Sequence, residues 1–198
     1  AFADTNGDPH SFLCTPCDSG RACLLEGLTS SSGAGTAACS DGHFCDLGAQ
    51  LADAQCDEDA CLYLYGSCPI GHKCIVGSTV PDICPEGTFQ PTLGNGDCLA
   101  CTAGYFCPST GMTDLSANDC PAGSYCPTSS INPTLCPVGR YSTSLNLEAA
   151  IDCTACNAGK YCGTEGLTAP SGLCSAGSYC TTAASTAIQA SVTSTGGP

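Results

Sequence analysis

The sequence contains no tryptophan, one methionine and only four lysine and arginine residues among its 198 residues. Leucine, isoleucine, valine and phenylalanine together supply 31 residues, about 16% of the chain. Chains below about 20% in these residues that also carry a large net charge rarely bury enough apolar surface to fold unaided. We therefore exclude a large shared hydrophobic core and expect cross-links to hold the chain together.

The scarcity of basic residues also limits the partners. The formal net charge is −14, and Arg21, Lys73, Arg140 and Lys160 lie far apart in the sequence. Nucleic acids and anionic membrane surfaces are bound through clustered basic residues, so neither is expected as a partner. No run of 18 apolar residues occurs, which excludes direct membrane insertion of these residues.

Cysteine, in contrast, is abundant: 21 residues, a fraction typical of disulfide scaffolds. Disulfides persist in oxidising compartments, so we expect an extracellular or cell-surface location. The first residue is Ala1 and not methionine, as expected if a signal peptide has been removed or if the sequence is a fragment.

One motif, C-x2-G-x2-C, recurs seven times, at Cys17–Cys23, Cys39–Cys45, Cys68–Cys74, Cys101–Cys107, Cys120–Cys126, Cys156–Cys162 and Cys174–Cys180. Two further copies, which begin at Cys84 and Cys136, lack the second cysteine. The glycine predicts a tight turn between the two cysteines. An aromatic residue precedes the second cysteine in five copies and is predicted to act as a one-residue core: Phe44, Phe106, Tyr125, Tyr161 and Tyr179.

A longer repeat has a period of 52 residues, from Cys84 to Cys136. It predicts this series of segments: an N-terminal lead (1–13), a unit without its opening cysteine (14–55), a short unit (56–83), two full units (84–135 and 136–180) and a Ser/Thr/Ala-rich linker or tail (181–198). Residues 58–65 are the only stretch that favours a short helix, with Asp57 as its N-cap.

The cysteine connectivity cannot be proved from the sequence. The repeat suggests that successive motifs join first cysteine to first and second to second, and that the incomplete copies close onto a C-x2-C pair. The ten pairs would be Cys17–Cys39, Cys23–Cys45, Cys56–Cys68, Cys61–Cys74, Cys84–Cys98, Cys101–Cys120, Cys107–Cys126, Cys136–Cys153, Cys156–Cys174 and Cys162–Cys180. Cys14 is left over; bonding to another chain, a missing upstream partner, a free thiol and an error in this pairing all remain open.

The segments CPAGSYCP, CPVGRYS and CTACNAGKYC resemble ephrin-receptor-like cysteine-rich repeats, strongly from Cys84 to Cys180 and more loosely from Cys14 to Cys74. The suggested pairing also resembles the modules of tumour-necrosis-factor receptors. Such repeats are abundant in extracellular proteins of protists and algae. We expect a small disulfide-rich fold, in which tandem cysteine-rich units of short β-hairpins and loops form an elongated rod.

The resemblance implies a structural repeat protein of an extracellular filament, surface coat or flagellar appendage, which assembles as a homo-oligomer or with filament neighbours. The alternative is the ligand-binding ectodomain of a cell-surface receptor. Tyr63 and Tyr65 form a candidate contact patch, because aromatic residues are enriched at interfaces, although local packing explains them equally well. O-linked glycans are expected at four candidate positions, Thr181, Thr182, Ser185 and Thr186.

Catalytic and cofactor sites are not expected. No Ser-His-Asp or Cys-His arrangement is present, and His10, His43 and His72 are expected at the surface. Zinc and thioredoxin-like redox chemistry are the rival uses of the C-x2-C pairs Cys14/Cys17, Cys98/Cys101 and Cys153/Cys156. A plain turn is expected at residues 4–8 (DTNGD) and a solvated loop at the acidic cluster Asp53, Asp57, Glu58 and Asp59, with calcium binding as the alternative at both.

Overall fold

The computed structural model describes residues 18–23, 36–45 and 65–188. These residues form very short strands and one 3₁₀ turn, Ala150–Asp152. The strands are β1 (Arg21–Cys23), β2 (Thr36–Ala38), β3 (His43–Cys45), β4 (Tyr65–Ser67), β5 (His72–Lys73), β6 (Asp82–Ile83), β7 (Thr88–Phe89), β8 (Leu99–Ala100), β9 (Ser124–Tyr125), β10 (Thr134–Leu135), β11 (Arg140–Tyr141), β12 (Thr154–Ala155), β13 (Lys160–Tyr161) and β14 (Gly172–Leu173).

Every sheet in the described residues has two strands, paired in chain order: β1–β2, β3–β4, β5–β6, β7–β8, β9–β10, β11–β12 and β13–β14. An isolated antiparallel bridge between Tyr105 and Asp119 lies between the fourth and fifth of these hairpins. In each case the residues that follow a motif glycine pair with the residues that precede the next motif. The predicted class, a small disulfide-rich fold of short β-hairpins, is therefore confirmed.

The motif itself is a β-turn. In the copy at Cys120, the Ser124 amide donates a hydrogen bond to the Pro121 carbonyl (3.1 Å), and Gly123, the third residue of the turn, has a φ of 80°. A type II turn requires this left-handed conformation at its third position, where glycine alone is free of strain. All nine copies, complete and incomplete, have the same turn bond and a left-handed glycine.

The turn decides the disulfide pairing. It brings the two ends of a complete motif to a Cα–Cα distance of 5.7–6.0 Å, within the range that a disulfide spans. Six disulfides therefore form inside single motifs: Cys39–Cys45, Cys68–Cys74, Cys101–Cys107, Cys120–Cys126, Cys156–Cys162 and Cys174–Cys180.

The predicted pairing between successive motifs is wrong, because each of its pairs contains a cysteine that is bonded within its own motif. The incorrect pairs are Cys17–Cys39, Cys23–Cys45, Cys56–Cys68, Cys61–Cys74, Cys101–Cys120, Cys107–Cys126, Cys156–Cys174 and Cys162–Cys180. The two pairs predicted for the incomplete motifs, Cys84–Cys98 and Cys136–Cys153, are confirmed. Cys14, Cys17, Cys56, Cys61 and the side chain of Cys23 lie outside the described residues.

Cysteine forms the core. Among the described residues, the buried hydrophobic residues are 14 cysteines and Ala184. The aromatic residue of the motif does not supply a core, contrary to the prediction. Phe44 and Tyr161 are half-buried and lie over the glycines opposite them in their hairpins, Gly66 and Gly172, whereas Tyr179 is exposed.

The chain divides into two compact units, Ala1–Leu99 with Thr110–Asp114 and Ala100–Ser109 with Leu115–Pro198. The second unit includes part of the segment predicted to be a linker or tail. Ala184 is fully buried, and its carbonyl accepts a hydrogen bond from the Cys162 amide (2.8 Å). Residues 181–188 are thus part of the folded unit, because their backbone completes the bonding of the motif at Cys156–Cys162.

Candidate interaction surface

Successive motifs are joined by a pair of backbone hydrogen bonds, which we call a rung. In one rung the Cys136 amide donates to the Gly123 carbonyl (2.8 Å), and the Gly123 amide donates to the Ser142 carbonyl (2.9 Å). The glycine of one motif thus bonds to the first and last residues of the next, which we call the opening cysteine and the closing residue. Rungs are formed by Gly20, Gly42 and Gly71 in the first unit and by Gly104, Gly123, Gly139 and Gly159 in the second.

A second set of bonds comes from a turn three or four residues after the closing residue. The Gly166 amide donates to the Cys136 carbonyl (2.9 Å) of the preceding motif, and the Ser142 amide donates to the Leu167 carbonyl (2.9 Å). In every such turn, the residue whose amide donates to the preceding motif, here Gly166, has a positive φ. We call it the left-handed turn residue. These residues are Gly77, Gly94, Gly111, Ser129, Asn146, Gly166 and Ala183.

The motif glycines have a steric role as well. A Cβ atom on Gly123 would overlap the carbonyl oxygen of Gly166, which belongs to the turn two motifs further along. We call the space beside the Cα of a motif glycine its notch. Six notches are filled in this way, in the pairs Gly20/Gly77, Gly42/Gly94, Gly71/Gly111, Gly104/Asn146, Gly123/Gly166 and Gly139/Ala183. In these six pairs, a motif therefore depends on backbone from the two motifs that follow it.

Gln90 and Ser142 occupy the closing position of the two incomplete motifs, a role that sequence reasoning missed. Both are almost fully buried. The Gln90 side chain donates to the Asp97 carbonyl (2.7 Å), and the Ser142 hydroxyl accepts from the Ser144 amide (3.0 Å). The sequence did contain a signal for this role, because each residue lies six positions after an opening cysteine, where a complete motif has its second cysteine. Polar side chains thus replace a half-cystine while the rung is kept.

The last described motif, Cys174–Cys180, forms a rung with the preceding motif and is also bonded to the segment that follows it, since the Ser175 amide donates to the Ala187 carbonyl (3.0 Å). The Cys174 amide donates to Gly159 (3.1 Å), and the Cys180 carbonyl accepts from Gly159 (3.0 Å). Within the described residues, the four groups that would reach a following motif have no backbone partner: the amide and carbonyl of Gly177, the Cys174 carbonyl and the Cys180 amide. No atom of the described residues lies within 4 Å of a Cβ added at Gly159 or Gly177.

Aliphatic side chains lie mostly on the surface, because cystines occupy the interior. Ile151 and Leu173 are 78% and 75% exposed, and Ile83 and Leu135 are about half exposed. Ile83 and Leu135 each pack against a glycine of a left-handed turn, Gly111 and Gly166 respectively. The surface therefore offers apolar contact area without any loss of core packing.

The candidate glycosylation residues lie together after the last motif. Thr181, Thr182 and Thr186 are exposed, and Ser185 is half-buried. The Thr186 hydroxyl donates to the Ile188 carbonyl (3.0 Å). The exposure of the three threonines is compatible with O-linked glycans, which stay a prediction.

Several predicted features lie outside the described residues: Tyr63 and the side chain of Tyr65, residues 4–8, the acidic cluster at 53–59, and His10. The Tyr65 backbone begins β4, so the predicted short helix does not extend to this residue. His43 and His72 are half-buried, and the Nδ1 atom of His72 lies 3.0 Å from the Ile70 carbonyl oxygen.

The C-x2-C pairs that the structure describes do not hold zinc, because their four sulfurs belong to four separate disulfides. Cys98 and Cys101 bond to Cys84 and Cys107, and Cys153 and Cys156 bond to Cys136 and Cys162. In residues 18–23, 36–45 and 65–188, no three His, Cys, Asp or Glu side chains are grouped so that they could bind a metal.

Disulfides in this number indicate an oxidising environment. The described residues contain no helix long and apolar enough to cross a membrane. Comparison with known proteins adds no relative: no family model matches the chain, and no curated protein matches it significantly.

Proposed function

We propose that the chain is a structural repeat protein of an extracellular filament, surface coat or flagellar appendage, and that it assembles with copies of itself. The observation that carries the proposal is the recurrence of one bonding scheme, in which seven rungs join successive motifs within the two units. In repeat proteins each unit contacts mainly its neighbours, so the same contacts can extend a molecule over many units, as a structural element requires.

The disulfides supply the rigidity that a structural role needs. A disulfide closes six of the complete motifs, and Cys84–Cys98 and Cys136–Cys153 brace the two incomplete ones. Cross-links of this loop size stabilise a fold by about 2–4 kcal/mol each, chiefly because they restrict the unfolded chain. Exposed aliphatic side chains such as Ile151 and Leu173 provide lateral contact area.

Negative-stain electron microscopy of the oxidised protein over a concentration series tests the proposal. We expect regular filaments or sheets that dissolve after reduction with dithiothreitol and alkylation. Protein treated with the alkylating agent alone is the control and should keep its assemblies. Isolated particles at every concentration would contradict self-assembly and would favour the ligand-binding ectodomain of a receptor.

A further inference from the structure

We infer that Lys73, Arg140 and Lys160 are sites of limited proteolysis by proteases that cut after lysine and arginine, and that cleavage at all three leaves the chain covalently continuous. The partner is a protease that binds a basic side chain in a negatively charged specificity pocket. The inference goes beyond the proposed structural function and does not depend on self-assembly.

The basic residues are unevenly distributed along the chain. All four lysine and arginine residues follow a motif glycine by one or two positions: Arg21, Lys73, Arg140 and Lys160. The segments that connect successive motifs contain no lysine or arginine, although they hold acidic residues such as Asp114, Asp119 and Glu165. Exposed loops of small and polar residues are the places where proteases cut most readily. A protease of this specificity therefore has no site in the segments where one cut would separate two motifs.

A disulfide spans each of the three sites. The enclosing pairs are Cys68–Cys74 around Lys73, Cys136–Cys153 around Arg140 and Cys156–Cys162 around Lys160. Cleavage at all three sites produces the pieces 74–140, 141–160 and 161–198, and the same three disulfides join each piece to the one before it. Arg21 lies in the copy at Cys17–Cys23, where both cysteine side chains lie outside the described residues, so the inference concerns residues 22–198.

Hydrolysis at Lys160 shows why the fold survives a cut. Water adds across the Lys160–Tyr161 peptide bond, which leaves a carboxylate on Lys160 and an amino group on Tyr161. The Cys156–Cys162 disulfide keeps both new ends in one molecule. Beyond the cut, the Cys162 amide keeps its hydrogen bond to the Ala184 carbonyl (2.8 Å). The motif is thus opened at one bond while its cross-link and its contact with the following segment remain.

The three sites differ in access. Lys160 is exposed, whereas Lys73 and Arg140 are half-buried. The Lys73 ammonium lies 3.7 Å from the Asp97 carboxylate. The Arg140 guanidinium donates to the Cys153 carbonyl oxygen (2.6 Å), and this bond must break before the side chain can enter a specificity pocket. The expected order of cleavage is therefore Lys160, then Lys73, then Arg140.

Trypsin digestion of the intact, oxidised chain tests the inference. The matched variant is Glu165→Lys, because Glu165 is exposed like Lys160 but lies outside the Cys156–Cys162 loop, in the connecting segment that follows it. A cut after residue 165 releases residues 166–198, whose two cysteines bond only to each other. Glu165→Gln is the control, since it removes the same charge without creating a cleavage site. Circular dichroism and free-thiol titration verify that both variants are folded and oxidised.

Denaturing electrophoresis and mass spectrometry give the readout, after trypsin is inhibited and both before and after reduction with dithiothreitol. We expect the unaltered chain and Glu165→Gln to keep residues 22–198 as one species before reduction, heavier by one water molecule for each cut, and to separate into pieces after it. Glu165→Lys should lose residues 166–198 without reduction.

Three results would overturn the inference. The first is the release of any piece of residues 22–198 from the unaltered, oxidised chain. The second is a digest that reduction does not separate, because the sites would then resist cleavage without help from the disulfides. The third is a Glu165→Lys chain that stays in one piece, because the position of a basic residue relative to the disulfides would then not decide release. None of these results depends on assembly, so the structural function is judged separately by electron microscopy.

Discussion

Gly123 and Gly166 approach so closely that a single added carbon on Gly123 would overlap the Gly166 carbonyl oxygen. Gly123 belongs to the motif at Cys120, and Gly166 belongs to the turn two motifs later. The contact is between backbone atoms alone, so no side-chain rearrangement can relieve an overlap. The motif glycine is thus required for its conformation and also for its lack of a side chain.

This close approach predicts that substitution by alanine lowers the free energy of unfolding more at Gly123 than at Gly177. Gly177→Ala should lower the free energy of unfolding by about 1–2 kcal/mol, the cost of a left-handed alanine, because its notch is open. Gly123→Ala has the same backbone conformation and should cost about 1–3 kcal/mol more through overlap. Urea unfolding at low protein concentration, with the disulfides intact, measures both. Equal losses would contradict the steric role of the notch.

The disulfide pairing inside motifs can be checked by cleavage between them. An endoprotease that cuts before aspartate should cleave at Asp114 and Asp119, between the motifs at Cys101 and Cys120. Without reduction, the observed pairing releases residues 82–113 and residues 119–198 as separate species, because no disulfide joins them. A single species containing both segments would instead support bonds between successive motifs. Mass spectrometry distinguishes the two results.

The buried amide of Gln90 is expected to stabilise the first incomplete motif. Gln90→Leu keeps a similar volume but leaves the Asp97 carbonyl without its bond from Gln90, which should cost about 1–3 kcal/mol. Leu93→Ser is the control, since Leu93 is 64% exposed and surface changes usually cost less than about 0.5 kcal/mol. The free energy of unfolding in urea is the measurement. A loss no larger than that of the control would mean that Gln90 only fills space.

Association should strengthen as salt is added. Each chain carries a formal net charge of −14, so copies repel one another. Raising the ionic strength from about 0.01 M to 0.15 M shortens the Debye length from about 30 Å to about 8 Å and screens this repulsion. We expect tighter association by sedimentation velocity at the higher salt concentration. Weaker association would indicate that ion pairs hold the copies together.

The motif, the turn at its glycine and the fold class of the chain could all be predicted from the sequence. It also identified Cys84–Cys98 and Cys136–Cys153, because an incomplete motif leaves its opening cysteine without an internal partner. It did not identify bonds such as Cys101–Cys107, since the spacing of cysteines does not show which pair a turn brings together. The left-handed turns were missed for a related reason: glycine, serine, asparagine and alanine all occupy that position.

The cystine core has a consequence for the response to temperature. The heat capacity of unfolding arises mainly from exposed apolar surface and amounts to about 12–15 cal/mol/K per residue in ordinary domains. Here the buried hydrophobic residues of the described part are cysteines and Ala184, and the aliphatic side chains such as Ile151 are exposed before unfolding begins. The curve of stability against temperature should therefore be unusually flat, so that cooling weakens this protein much less than it weakens a chain with an aliphatic core.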